Sequence, residues 1–189
     1  FVLCKNWLAS SIFWLILSLV LTFKKSWSSF LAPIYAVVEW VFIWSISAFY
    51  ELRYPWIINH AVLLTFSVFF IMLSLYKLRI LQPTQKFISV VVFSTLSIAL
   101  LYFINIIWLI TWLYNIGFIH DSWTVWVLFS FFVVWIASLN LIIDFWEIEA
   151  WSQLKLPKYM EWYCAFSLLV TLVWLYIEIL RLLSKISQK

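Results

Sequence analysis

The segment LNLIIDFWEIEAW, Leu139–Trp151, closes a long apolar run and carries Asp144, Glu147 and Glu149 in quick succession. The run before those carboxylates, about residues 123–143, decides the fold. A helix needs roughly 20 apolar residues to cross the hydrocarbon core of a bilayer. The same pattern recurs along the chain, and spans are expected at about 7–23, 33–50, 57–76, 87–112, 123–143 and 160–183. Strand-like alternation is absent, and in lipid every backbone polar group has to be paired internally, so these are read as helices. The expected class is an all-α integral membrane protein, with six transmembrane helices in one polytopic domain over residues 1–189.

The composition agrees. Hydrophobic residues make up 67% of the chain and charged residues 11%, with a mean hydropathy of +1.06. A soluble domain has about 25% charged residues, enough to cover itself with a wet surface. The net charge of +4 is scattered between apolar runs, which suits loop anchors in a membrane and not a nucleic-acid surface. Cys4 and Cys164 lie far apart and form no metal-binding spacing. His60 and His120 lie in different segments without an HExxH pattern. Gly117 is the only glycine, so no glycine-rich phosphate loop exists. No nucleophile–base or metal constellation is present, and neither an enzyme nor a cofactor is expected.

Charge sets the expected orientation. Lys24, Lys25, Lys77, Arg79, Lys86, Lys155 and Lys158 fall on one side of the membrane, and Lys5 and Arg53 on the other. The positive-inside rule makes the first side cytoplasmic, although Arg181, Lys185 and Lys189 in the tail argue the other way. The second span is read as starting at Pro33, because proline has no N–H to lose in a first turn. Phe1 is not an initiator methionine and FVLCKNW does not read as a signal peptide, so a longer protein with an upstream helix is expected.

Charged groups inside spans are costly and usually face the bundle interior. Glu39, Asp144 and Glu178 are the candidates. Asn140, Asp144 and Glu147 are spaced four and three apart, which places them on one helix face. Cys164, Ser167, Thr171 and Glu178 share a face of the last helix in the same way. Together they suggest a polar seam. Asp144 and Glu178 lie near opposite ends of their spans, where hydration alone would explain them, and Arg181 is spaced to pair with Glu178. Glu39 is too deep for that explanation and is expected to face the interior.

The closing segments LNLIIDFWEIEAW and PKYMEWYCAFSLLVTLVWLYIEILRLL (Pro157–Leu183), with LAPIYAVVEWVFIWSISAFYE (Leu31–Glu51) and YPWIINHAVLLTF (Tyr54–Phe66), resemble the Bax inhibitor 1 family, specifically its bacterial YccA-like branch. The resemblance implies a seven-helix bundle with a central last helix, the six spans being helices two to seven. It also implies a bacterial inner membrane and a proton-sensitive calcium leak, in which two aspartates on the last two helices share a proton. Asp144 matches the first of these. The second falls on Thr171, or on Glu178 in a register shifted by two turns. Thr171 is a departure, because without two close carboxylates no like-charge repulsion separates two titrations. A pH-sensitive gate could be built on Asp144 alone, or on Asp144 with Glu147.

Trp40, Trp44 and Trp56 stand where the branch usually has glycine, and tryptophan is expected to push helices apart. With one Gly and 15 Trp in the chain, one hypothesis is that UGA codons meaning glycine are being read as tryptophan. A drifted or engineered glycine-poor sequence is the alternative.

Two functions follow. The first is a membrane cation channel or leak with calcium the expected ion, since Asp144 and Glu147 offer the oxygen ligands that calcium prefers. The second is a non-conducting regulator that binds a membrane protease or quality-control complex, with the polar stripes acting as helix–helix contacts. The expected partners are the lipid bilayer and calcium or other cations.

Overall fold

The computed structural model describes residues 20–21, 24–111, 123–154 and 157–187. Over these residues the chain forms a short 3₁₀ turn, Lys25–Trp27, and five α-helices: α1 Ser28–Arg53, α2 Ile57–Lys77, α3 Gln85–Thr111, α4 Trp123–Gln153 and α5 Tyr159–Ile186. No strand occurs among the described residues. All five helices are long and apolar enough to cross a membrane. The six-helix count is therefore not reached in what is described, because the expected span at 7–23 lies outside the described residues except for Val20 and Leu21.

Two helix boundaries correct the sequence reading. Pro33 lies inside α1, which begins at Ser28. The missing N–H of Pro33 leaves the Ser29 carbonyl without its usual helical partner. α4 does not end with the apolar run at 143 but continues to Gln153. A helix that leaves the hydrocarbon keeps its own backbone bonds, so polar side chains need not end it.

α5 packs against α4, α1 and α2, and α3 packs on α4. Ala61 and Ala137 are fully buried with Leu141, Leu175 and Leu180 at the centre. Between membrane helices lipid supplies no hydrophobic drive, so close packing and interhelical hydrogen bonds carry the association. Small residues sit at these contacts: Ala61 and Ala137 are buried in the core, and Ser47 bonds the Tyr176 hydroxyl at 2.8 Å, joining α1 to α5. Ser28 donates to the Tyr159 carbonyl and fastens the start of α1 to the start of α5.

The tryptophans do not push these helices apart. Trp40 and Trp44 are 69% and 67% exposed, on the outer surface of α1. Trp56 is also outside, but its backbone has φ 72°, a left-handed conformation suited to glycine.

Candidate functional site

The antiparallel order of the helices gathers the start of α1, the ends of α2 and α4, and the starts of α3 and α5 at one end. Lys25, Lys77, Arg79, Lys86 and Lys158 lie at this end, called the lysine-rich end below.

Asp144 is buried on α4, with 8% exposure. The Ser167 hydroxyl of α5 donates to its Oδ1 at 2.9 Å. Its Oδ2 receives no hydrogen bond. The Thr171 hydroxyl, which donates to the Ser167 carbonyl at 3.3 Å, lies against the same carboxylate. Thr171 thus stands across the α4–α5 seam from Asp144. A buried carboxylate oxygen lacking a donor is costly. It is also a ready acceptor for a proton or a cation.

Glu147 is half-buried one turn nearer the lysine-rich end. It interacts electrostatically with Asp144, with Lys25, and with Tyr163 and Cys164 of α5. The Lys25 ammonium lies 4.8 Å from the Tyr163 ring centroid and 5.2 Å from that of Trp151. These two rings stack on each other at 5.7 Å. A cation of the chain itself, held by aromatic faces, therefore lies near Glu147.

The expected single polar stripe is divided. Asn140 donates to Thr95 Oγ1 of α3 at 2.8 Å and to the Ile136 carbonyl at 2.9 Å. It binds α4 to α3, while Asp144 four residues on turns to α5. Four residues leave an angular offset of about 40° on a helix, enough to divide them between two neighbours.

Glu39 and Glu178 are each 1% exposed. Glu39 accepts from Tyr35 of its own helix at 3.0 Å. Glu178 is not at a hydrated end, as its sequence position suggested. Its Oε1 accepts from Tyr102 of α3 and from Arg181, both at 3.0 Å. Two turns separate it from Thr171, so of the two matches for the second aspartate it is Thr171 that adjoins Asp144. Further along α5, Lys185 donates to Ser130 of α4 at 2.5 Å. These contacts tie Arg181 and Lys185 to side chains of the bundle, although the Arg181 side chain remains 42% exposed, and that weakens the tail's vote on orientation.

Tyr102 and Ser130 were not singled out from the sequence, and Lys25 was read there only as a loop anchor. They meet their partners across helices, and no spacing along one helix reports that. The one available signal was the i, i+3, i+7 series Glu178, Arg181 and Lys185 on α5. His60 bonds the Trp56 carbonyl at 2.9 Å, a local contact. His120 and Cys4 lie outside the described residues, and among the described residues no cluster of three metal-ligating side chains occurs.

Five long apolar helices, packed on an apolar core with a few buried polar groups, define a multi-pass integral membrane protein. The family model for Bax inhibitor 1 like proteins matches residues 2–188, and the chain belongs to that family. Neither the curated proteins nor the solved structures gave a match.

Proposed function

We propose that the protein is a pH-sensitive cation leak of a bacterial inner membrane, with calcium the favoured ion. The observation that carries this reading is the buried Asp144 carboxylate with a second carboxylate, Glu147, beside it; an oxygen outside any hydrogen bond is shared with Glu178 and does not by itself mark the site. Against Asp144 are the Ser167 and Thr171 hydroxyls, and Glu147 lies one turn closer to the lysine-rich end. Hard oxygen donors of this kind suit calcium. The ion is cargo and the protein performs no catalytic step. Asp144 is the group whose charge admits the cation, Glu147 attracts it at the mouth, and Lys25 competes with it there. Asn140 and Glu178 hold α3 to its neighbours, and Glu39 accepts from Tyr35 within α1.

Calcium influx into proteoliposomes containing the purified chain tests this. Influx above that of empty liposomes, reduced in Asp144→Asn, is the expected result. A folded protein that passes no cation would instead favour the regulator of a membrane protease.

A further inference from the structure

Away from the α4–α5 seam, the lysine-rich end contains a cavity of about 690 Å³ between the end of α2, the loop after it and the last turns of α4. Its walls are of two kinds. Leu73, Phe145, Trp146 and Ile148 are apolar, while Lys77 and Arg79 bring two cations. The carboxylate in the lining, Glu149, accepts a hydrogen bond from the Tyr76 hydroxyl. That bond leaves Glu149 charged, so the polar side of the cavity has two cations against one carboxylate, a net positive balance, and the other side is greasy.

The chain termination of α2 explains how Arg79 gets there. Ile80 N–H bonds the Leu75 carbonyl at 3.1 Å and Arg79 N–H bonds the Tyr76 carbonyl at 3.0 Å. These two bonds resemble a Schellman ending, in which the residue in left-handed conformation is usually glycine. Arg79 occupies that position with φ 54°. A large side chain is kept where glycine would fit more easily. On either side of it, Leu78 and Ile80 are 70% and 63% exposed. A loop that alternates exposed apolar residues with cations matches the headgroup boundary of a bilayer, where apolar side chains enter the lipid and cations meet phosphate.

We propose that this cavity seats the headgroup of an anionic phospholipid, with Lys77 and Arg79 on the phosphate and the upper acyl chain along Leu73, Phe145 and Trp146. The volume lies within the range of small-molecule sites. Charge complementarity selects an anion, and the apolar wall selects a lipid over free phosphate. A neutralised helix C-terminus would explain Lys77 alone, but not a cavity with an apolar wall and a second cation in a left-handed position.

Native mass spectrometry and thermal unfolding of the purified full chain test the proposal, with phosphatidylglycerol, phosphatidylcholine or inorganic phosphate added. The expected result is retained phosphatidylglycerol adducts and a raised melting temperature, without either effect from phosphatidylcholine or phosphate. Lys77→Gln with Arg79→Gly should weaken phosphatidylglycerol retention about thirtyfold, since each of the two basic residues near an anionic surface contributes on the order of 1 kcal/mol. Arg79→Gly suits the left-handed position, so misfolding would not explain the loss. Lys86→Gln, at the same end but outside the lining, should leave retention unchanged. Equal loss in Lys86→Gln would mean diffuse attraction, and equal protection by phosphate would mean a free-anion site. Either result, or retention unaltered in the double variant, overturns the proposal.

Discussion

Ser167 on α5 donates its hydroxyl hydrogen to Asp144 on α4 at 2.9 Å, and it reaches only one of the two carboxylate oxygens. This contact crosses the interface between the two closing helices, so it bears on both assembly and ion passage. Ser167→Ala should lower thermal stability by about 1 kcal/mol, the usual net value of a hydrogen bond to a buried group, or somewhat more because the acceptor is charged when ionised. The same variant should lower calcium influx, since the charged form of Asp144 loses a donor that favours it. Unchanged unfolding and unchanged influx would mean that the contact is incidental.

Lys25 lies near Glu147, against the rings of Tyr163 and Trp151. As a tethered cation it should compete with a mobile one. Lys25→Met, which keeps the length of the side chain and removes its charge, is expected to increase calcium influx. The increase should be larger at low ionic strength, because the competition is electrostatic and salt screens it. An influx that falls, or that is indifferent to salt, would count against this role.

The Glu178–Arg181 pair joins α5 to α3 through Tyr102. Removing one partner of a buried pair leaves a charge without compensation. Arg181 is 42% exposed, however, and water moderates the loss. Arg181→Ala should cost about 1–2 kcal/mol in a reversible unfolding measurement. Arg181→Ala combined with Glu178→Gln should recover part of it. A double variant less stable than the single one would show that the carboxylate is needed for another contact.

Much of this arrangement was legible in the sequence. Long apolar runs gave the helices, and the carboxylates after Leu139 marked α4 as the helix with the candidate site. The pairing of Asp144 with Thr171 could be placed only by resemblance. Spacing gave Asn140 and Asp144 a common face but not their different partners, because the neighbours of α4 are a tertiary fact. Pro33 and the end of α4 were misread for related reasons. A helix tolerates a proline near its start when the lost bond lies close to solvent, and it does not stop where hydrophobicity stops.

Trp56 offers a separate test. Its left-handed backbone should disfavour a bulky side chain by about 1–2 kcal/mol, partly offset in Trp56→Gly by the greater freedom of glycine in the unfolded chain. That variant should therefore gain up to about 1 kcal/mol of stability, whereas Trp40→Gly in the middle of α1 should lose about 1 kcal/mol. Thermal unfolding of the two variants gives the comparison. The codons settle the origin of these residues: UGG at 40, 44 and 56 would end the recoding hypothesis.

The central claim is that the charge on Asp144 admits the cation. A protonated carboxyl attracts a cation far less than a carboxylate, so calcium influx should fall as the pH drops. With Thr171 in place of a second acidic group across the seam, the fall should be one shallow transition, and Thr171→Asp should steepen it or divide it in two. The decisive measurement is proteoliposome calcium influx between about pH 4 and 8, a range that begins near the ordinary aspartate value, for the parent chain and Asp144→Asn. The account predicts that Asp144→Asn loses most of the pH dependence. Full pH dependence retained in Asp144→Asn would contradict it.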